Sequence, residues 1–385
     1  MIHNVLKEID KLNSVYVDVW EDVCNLESPS KDKAGVDRVG EYFKALAEKF
    51  GWQIEVDPQE QFGDVVCITM NPGATGRPIA LSGHMDTVHP VGSFGTPAVR
   101  REGDRICGPG VMDCKGGIVA GFLAMDALQS CGYEARPIMM LLQSNEEIGS
   151  GLMNKAPIRC ICERAKDVEA FLNLEPHEGY FAGKACLIRK GIAGFRFTVT
   201  GIETHASYCA REGASAIAEA AYKIVEIEKI KNDAAVTCNC GIVSGGTATN
   251  TVAGKCEFRV DVRFATQAQY EEVSAALQKI ADTIHVPGCT CVMEQTNLRP
   301  AMELSDRNVS LLNRANELFE EVGLSRLEVG MRTGGSDAAD VSCCGIPCID
   351  SIGVFGERAH SREEYGVISS LAESAKRIAA IVCGL

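Results

Sequence analysis

Short apolar runs alternate with a helical pattern through the first half of the chain. Residues 78–82, 137–142 and 170–174 are short, mostly apolar runs of the kind that form buried strands. Residues 116–130 instead repeat apolar side chains at the spacing of a helix. This order of strands and helices predicts an α/β fold, in which a mainly parallel sheet is covered by helices on both faces.

A second pattern begins at about Lys190. Residues 195–199 alternate apolar and polar side chains, as in a strand with one solvated face. The patterns that follow predict a helix, two strands, a helix and a strand, at 214–230, 235–243, 255–264, 268–284 and 290–295. The order βαββαβ is the ferredoxin-like plan, with helices on only one face of the sheet.

The α/β pattern resumes from Ser310 and continues to the end of the chain. We therefore predict one catalytic domain, built from residues 1–189 and 298–385, that is interrupted by an inserted ferredoxin-like lid at 190–297. The sheet of such a lid has edge strands with unpaired N–H and C=O groups, which proteins rarely leave open. Symmetric pairing of two lids closes the edges, so we expect a homodimer through the inserted domain.

Composition and charge argue against two classes of binding partner, nucleic acids and membranes. A formal net charge of −14, without any Lys/Arg-rich run, argues against a nucleic-acid-binding surface. Residues 1–20 have the spacing of an amphipathic helix rather than a signal peptide, and no segment is apolar enough to span a membrane. The 18 cysteines include no Cys-x2-Cys pair. We expect reduced thiols in a cytoplasmic protein that binds neither nucleic acid nor membrane.

Polar residues that can carry chemistry lie in five segments, each just after a predicted strand or just before a predicted helix. The segments are SGHMDTV at 82–88, GPGVMDCKGG at 108–117, SNEEIGS at 144–150, NLEP at 173–176 and AHS at 359–361. In an open parallel sheet, sites assemble at the carboxyl edge of the strands. The segments bring two imidazoles and five carboxylates to that edge: His84, His360, Asp86, Asp113, Glu146, Glu147 and Glu175.

This set of side chains is suited to zinc, with cobalt or manganese as possible substitutes. A pair of zinc ions needs a bridging carboxylate, and Asp113, at a glycine-flanked turn before a helix, is a candidate. Asp86 follows His84 by two residues and can fix the tautomer of that imidazole. Of the adjacent Glu146 and Glu147, one can bind metal while the other acts on water. The same GPGVMD stretch imitates a dinucleotide-binding loop, but Asp113 stands in place of its third glycine, which argues against a dehydrogenase.

These segments resemble those of the co-catalytic zinc peptidases and deacylases. That family includes bacterial glutamate carboxypeptidase, aminoacylase, acetylornithine deacetylase and succinyl-diaminopimelate desuccinylase. The resemblance covers nearly the whole chain, and MRTGGSDAAD at 331–340 and LRPAM at 298–302 fit the glutamate carboxypeptidase branch best.

The resemblance implies two zinc ions per subunit. His84 and Glu175 would be terminal ligands of one ion, Glu147 and His360 those of the other, and Asp113 would bridge them. It also implies that Glu146 is the general base and that Asp86 orients His84.

In the inserted domain, the resemblance implies that His205 of the THAS segment lies over the scissile carbonyl of the substrate. In the family this histidine often comes from the partner subunit. Asn250 matches a lid asparagine, and Arg332 matches an arginine that grips the substrate carboxylate. Arg263 matches a lid arginine whose role stays open. The chain departs from its relatives at Cys114, which follows Asp113, and at Ser207, which replaces a frequent glycine.

The resemblance implies hydrolysis of an amide bond in a small peptide or N-acyl amino acid that carries a free C-terminal carboxylate. N-acyl amino acid deacylation is an alternative, because the core motifs do not separate it from carboxypeptidase activity. A metal-binding regulatory protein that has lost catalysis is a further alternative. Loss of the base would be its signature, and Glu146 is present.

Overall fold

A computed structural model describes residues 1–149, 151–178, 183–208, 211–230 and 236–385. Within these ranges the helices are α1 (Ile2–Asn25), α2 (Lys33–Phe50), α3 (Lys115–Ser130), α4 (Ala156–Ala165), α5 (Ala216–Ile227), α6 (Gln267–Asp282), α7 (Asp306–Glu321), α8 (Asp337–Cys343) and α9 (Ser370–Gly384). The strands are β1 (Gln53–Asp57), β2 (Val65–Met70), β3 (Ile79–His84), β4 (Arg100–Glu102), β5 (Arg105–Cys107), β6 (Ile138–Gln143), β7 (Ala170–Asn173), β8 (His177–Glu178), β9 (Lys184–Arg189), β10 (Gly191–Thr200), β11 (Thr237–Gly245), β12 (Lys255–Phe264), β13 (Thr290–Arg299), β14 (Glu328–Arg332), β15 (Cys348–Ile349), β16 (Phe355–Glu357) and β17 (Tyr365–Val367).

The main sheet, as far as the chain is described, has six strands in the order β1-β2-β6-β3-β7-β15. The strands β6, β3, β7 and β15 pair in parallel, whereas β1 and β2 are antiparallel additions at one edge. Alternate side chains of β3 enter two cores: Ile79 and Leu81 pack with α1, α3 and α9, and Ala80 packs with α4 and α8. Helices therefore cover both faces, which confirms the predicted α/β plan.

The sequence pattern located the central elements within a few residues. The predicted strands at 78–82, 137–142 and 170–174 correspond to β3, β6 and β7, and the helix at 116–130 corresponds to α3. The antiparallel strands β1 and β2 were not predicted. Five short strands, in the order β4-β5-β17-β16-β8, form a separate small sheet that was also not predicted.

The segment from β10 to β13 has the predicted order βαββαβ. Its strands are arranged β11-β12-β10-β13 and all pair antiparallel, with α5 and α6 packed on one face. Phe195, Phe197 and Val199 are buried in a core of their own, while Arg196 and Thr198 are half-buried on the other face. The ferredoxin-like plan is confirmed, although β13 runs four residues further than predicted, to Arg299. The boundaries 1–189, 190–297 and 298–385 stay a prediction.

Parts of two predicted segments lie outside the described residues, namely Ser150 of SNEEIGS and Ala235 at the start of the strand that became β11. Every cysteine within the described ranges is a free thiol. No helix in the described ranges is long and apolar enough to cross a membrane.

Candidate metal centre and active site

Three neighbouring parallel strands deliver most of the candidate ligands to one edge of the main sheet. His84 is the last residue of β3, and Glu146 and Glu147 lie in a 3-10 turn that closely follows β6. Glu175 comes two residues after β7. Because β6, β3 and β7 are adjacent and run in the same direction, their carboxyl ends bring these side chains together.

Asp113 and His360 come to the same edge on loops. Asp113 lies immediately before Cys114, the N-cap residue of α3. His360 follows β16 and has a φ of 61°, a conformation that non-glycine residues adopt rarely and that often occurs at functional sites.

The two oxygens of Asp113 point to two different imidazoles. Oδ1 lies 3.0 Å from His84 Nε2, and Oδ2 lies 3.3 Å from His360 Nε2. Glu175 Oε1 is 3.5 Å from the same nitrogen of His84, and Glu147 Oε2 is 3.2 Å from the same nitrogen of His360. Each half of the site thus has one imidazole, one carboxylate of its own and one oxygen of Asp113.

The charge of this arrangement is suited to divalent cations. Burial and the nearby Asp113 raise the pKa of Glu147 to about 7. Hydrogen bonds to Asp113 and Glu147 raise the pKa of His360 to about 11. Glu147 and His360 therefore bind protons more tightly than usual, and cations between these side chains would take over that neutralisation of charge. The residues fit two metal ions that share Asp113, with ligand types that zinc accepts.

Asp86 organises the turn that carries the adjacent glutamates. Its side chain is fully buried and accepts hydrogen bonds from the backbone N–H groups of Glu146 (2.9 Å) and Glu147 (3.2 Å) and from the Ser30 hydroxyl (2.6 Å). His84 Nδ1 lies 3.0 Å from the Asp86 carbonyl oxygen and 3.3 Å from its Oδ1. Both acceptors favour a proton on Nδ1, so Nε2, which lies 3.0 Å from Asp113 Oδ1, is the nitrogen of His84 that could bind a metal ion.

The site opens into a cleft of about 360 Å³ whose lining includes Asp113, Glu146, Glu147 and Glu175. Three arginines also line it: Arg189, Arg299 and Arg332. Arg189 and Arg299 are buried and held by carboxylates, with Arg189 bonded to Asp350 (2.6 Å). Arg332, at the end of β14, is half-buried and donates to the Pro176 carbonyl (3.1 Å).

Buried residues at the site that the sequence did not reveal include Arg189, which lines the cleft, and also Arg299 and Glu364. Arg299 pairs with the Glu146 side chain, although LRPAM had been noted only as a family motif. Glu364, which is 1% exposed, accepts the backbone N–H groups of Met112 (3.0 Å) and Asp113 (3.2 Å) and is 2.7 Å from His89 Nε2. No local sequence pattern points to Glu364, because its hydrogen-bond partners lie more than 250 positions away in the chain.

Cys114 lies beside the half of the site that contains His84 and Glu175. Its buried Sγ is 3.4 Å from the backbone nitrogen of His84 and 3.7 Å from the Leu174 carbonyl oxygen. His84, Cys114 and Glu175 have donor atoms within 4.8 Å of one another. The expected thiol close to the metal site is therefore present, and it is bonded to the backbone.

The lid residues lie apart from the cleft of their own chain. His205 is exposed, and the adjacent Ala206 N–H donates to the Asn250 carbonyl at 2.9 Å, so His205 and Asn250 lie side by side. Arg263 pairs with Asp261 on the face of β12 away from the helices (2.8 Å). Within the described residues, none of these three lines the cleft that holds Asp113.

Comparisons with known proteins identify the same architecture. Residues 187–289 match the family described as a peptidase dimerisation domain. Carboxypeptidase G2 from Pseudomonas sp. (strain RS-16) is 28% identical over 359 residues, or 91% of this chain and 84% of that protein. Acetylornithine deacetylase from Myxococcus xanthus is 27% identical over 267 residues, or 62% of this chain and 65% of that protein. The crystal structure of aminopeptidase PepT from Bacillus cereus has a TM-score of 0.77 at 22% identity, and covers 96% of this chain and 98% of its own.

The chain is similar in fold to M20 peptidases over nearly its whole length, which confirms the resemblance found in the sequence. The matches indicate that the protein is a hydrolase that acts on amide bonds. M20 peptidases are metal-dependent, and the convergence of His84, Asp113 and Glu147 is a possible metal site in this chain.

Charge-removing substitutions should separate the two halves of this candidate metal site. Glu175→Gln alters only the half with His84, and Glu147→Gln only the half with His360. Each variant should lose one of two bound zinc ions on dialysis, whereas Asp113→Asn should lose both. Elemental analysis of dialysed protein measures this, with the half-buried Glu169→Gln, which pairs with Arg77 outside the cleft, as a control that keeps both ions. Equal metal content in all four variants would contradict the ligand assignment.

Proposed function

We propose that this protein is a dizinc, carboxypeptidase-like hydrolase. It cleaves an amide bond in a small peptide or N-acyl amino acid that carries a free C-terminal carboxylate. The observation that carries the proposal is the position of Asp113 between two imidazoles, in a cleft that also contains Glu146 and Arg332.

The ligand roles follow from the two halves of the site. His84 and Glu175 would hold one ion, His360 and Glu147 the other, and Asp113 both. When bound, paired zinc ions acidify water and polarise the amide carbonyl, and cobalt or manganese can substitute. Asp86 acts indirectly, because its bonds hold the tautomer of His84 and the backbone of the glutamate turn.

Glu146 is the proposed general base. Glu146 lines the cleft and is adjacent in sequence to Glu147, a proposed ligand. Among the ion pairs of the described residues, Glu146 pairs with Arg299 and not with either imidazole. A carboxylate in this position can take the proton of the attacking water and pass it to the leaving amine. Such proton transfer contributes about 10²- to 10⁴-fold to the rate.

Arg332 is the proposed contact for the substrate carboxylate. Arg332 lines the same cleft as the carboxylate cluster, as do Gly334 and Gly335. Arginine presents a planar fork that matches a carboxylate with two hydrogen bonds, and it stays charged at any physiological pH. The half-buried position of Arg332 makes its fork accessible to a substrate, in contrast to the buried Arg189 and Arg299.

N-acyl amino acid deacylation is the second candidate within the same chemistry. The match to an acetylornithine deacetylase supports it, but that match covers 62% of the chain, against 91% for carboxypeptidase G2. Both reactions leave a free amino acid with a carboxylate on the amine side, so Arg332 serves both. A panel of N-acyl amino acids and dipeptides, assayed with zinc, cobalt and manganese, separates the two.

The lid offers an apolar surface suited to a second copy of the chain. On α5, Tyr222 and Val225 are 54% and 57% exposed, and on the edge strand β11, Ile242 and Val243 are 59% and 61% exposed. We propose a homodimer through this surface, in which the exposed His205 donates a hydrogen bond to the oxyanion in the partner's cleft. Asn250, beside His205, would contact the same substrate. A cytoplasmic location with reduced thiols is part of the proposal.

Glu146→Gln should retain the fold and the bound metal, because it preserves the shape of the side chain and removes only the proton acceptor. Its kcat should fall by about 10²- to 10⁴-fold, with little change in KM. Steady-state kinetics with matched metal content measures this. Activity near that of the wild type would show that another group moves the proton.

Arg332→Lys should abolish the preference for free acids over the matching C-terminal amides. A lysine supplies a charge but not the fork, so KM should rise for the acids and stay unchanged for the amides. The exposed Arg358→Lys, which alters a pair with Glu363 outside the cleft, is the matched control. If the wild type hydrolyses acids and amides equally well, the assignment of Arg332 is wrong.

A mixture of two inactive variants tests whether His205 acts in the partner's site. Random exchange between His205→Ala and Glu146→Gln subunits makes half of the dimers mixed, and each mixed dimer rebuilds one of its two sites. The mixture should regain about a quarter of wild-type activity, as two-fold symmetry requires. A mixture that contains mixed dimers and stays inactive would place His205 in its own subunit's site or outside catalysis.

A further inference from the structure

The strand by which the lid returns to the catalytic region ends at the proposed base. Arg299 is the last residue of β13 and is only 3% exposed. Its Nη1 pairs with Glu146 Oε1 and lies 3.2 Å from Asp337 Oδ1, while its Nη2 donates to the Glu146 main-chain carbonyl at 2.9 Å. One guanidinium thus holds both the carboxylate and the backbone of the same glutamate.

The surrounding chain leaves a slot for this arginine. A Cβ atom at Gly149 would lie 3.0 Å from Arg299 Nη2, and a Cβ atom at Gly335 would lie 2.6 Å from Arg299 Cδ. Side chains at either position would collide with the arginine or displace it. The two glycines come from different segments, the Glu146 turn and the loop after β14, so the slot is built from both sides.

A second contact joins the same strand to the same turn. Asn297 of β13 forms an antiparallel bridge with Gly151, which closely follows the turn that carries Glu146 and Glu147. The end of β13 therefore contacts this segment both through its backbone and through the Arg299 side chain. A displacement of β13 would therefore act on the segment that carries Glu146 through both contacts.

We propose that Arg299 is a positioning residue that sets the rotamer and direction of Glu146 and links it to the last strand of the lid. The inference rests on the proposed role of Glu146 as the base. A lysine at this position cannot reproduce the contact, because one Nζ cannot hold the carboxylate and the carbonyl with the spacing of a guanidinium fork. A base displaced by about 1 Å can cost on the order of 10²-fold in rate.

Arg299→Lys should lower kcat by about 10- to 100-fold, with zinc content and KM close to those of the wild type. The control is Arg377→Lys, which changes an equally buried arginine that pairs with Glu373 and does not line the cleft, and which should leave kcat unchanged. Gly335→Ala is a second variant that keeps Arg299, but its added Cβ atom would lie 2.6 Å from Arg299 Cδ and displace the arginine without crowding the Glu146 turn. It should lower kcat in the same way, and it decides the question if Arg299→Lys does not fold.

Three results would overturn the proposal. An increase in KM for free acids that disappears with the matching amides would make Arg299 a substrate contact. Equal losses in Arg299→Lys and Arg377→Lys would make its role merely structural. Unchanged kcat in both Arg299→Lys and Gly335→Ala would show that the contact has no role in turnover.

A double-mutant cycle with Glu146→Asp tests whether Arg299 acts through the base. The shorter side chain withdraws its carboxylate from the guanidinium, so Arg299→Lys should add little to the loss already caused by Glu146→Asp. Losses that multiply would show that Arg299 acts independently of Glu146. Glu146→Gln alone reports on the base itself, so failure of the proposed function is distinguished from failure of this inference.

Discussion

The site depends on the opposed oxygens of one carboxylate. Asp113 has one oxygen beside His84 and the other beside His360, and each imidazole also faces a carboxylate of its own. Three acidic side chains at this density repel one another, and buried charge is tolerated only when it is paired or binds metal. The arrangement is therefore suited to a pair of cations. The surrounding residues hold Asp113 in the position that such a pair requires.

That support comes from opposite ends of the chain. Glu364 accepts the backbone N–H of Asp113, and the end of β3 positions His84 against its side chain. The glutamate turn is likewise held from two sides, by Asp86 through backbone N–H groups and by Arg299 through the Glu146 side chain and carbonyl. Asp113 and the turn that carries the proposed base Glu146 are thus held by buried side chains, as precise catalytic geometry requires.

Local sequence patterns predicted the central strands and the polar residues at their ends. The runs that became β3, β6 and β7 are apolar because both of their faces are covered, and the polar residues at their ends stand out against that background. His84, Glu146, Glu147 and Glu175 could be placed near one another on this ground alone. His360 follows a three-residue strand that has no such pattern, so it could be assigned only through the family resemblance.

The residues that were missed depend on partners distant in sequence. Arg299 and Glu146 are 153 positions apart, and Glu364 and Asp113 are 251 apart. An arginine or glutamate is usually a solvated residue, and only the folded chain shows that these two are buried. The antiparallel strands β1 and β2 escaped prediction as well, and the half-exposed, partly charged β1 lacks the continuous apolar run of the central strands.

Anomalous X-ray scattering at the zinc absorption edge, from crystals of the zinc-loaded protein, tests the shared role of Asp113 most directly. The account predicts two zinc peaks, one beside His84 and Glu175 and one beside His360 and Glu147, with a different oxygen of Asp113 bound to each. A single fully occupied peak at saturating zinc, or two peaks of which only one contacts Asp113, would contradict it.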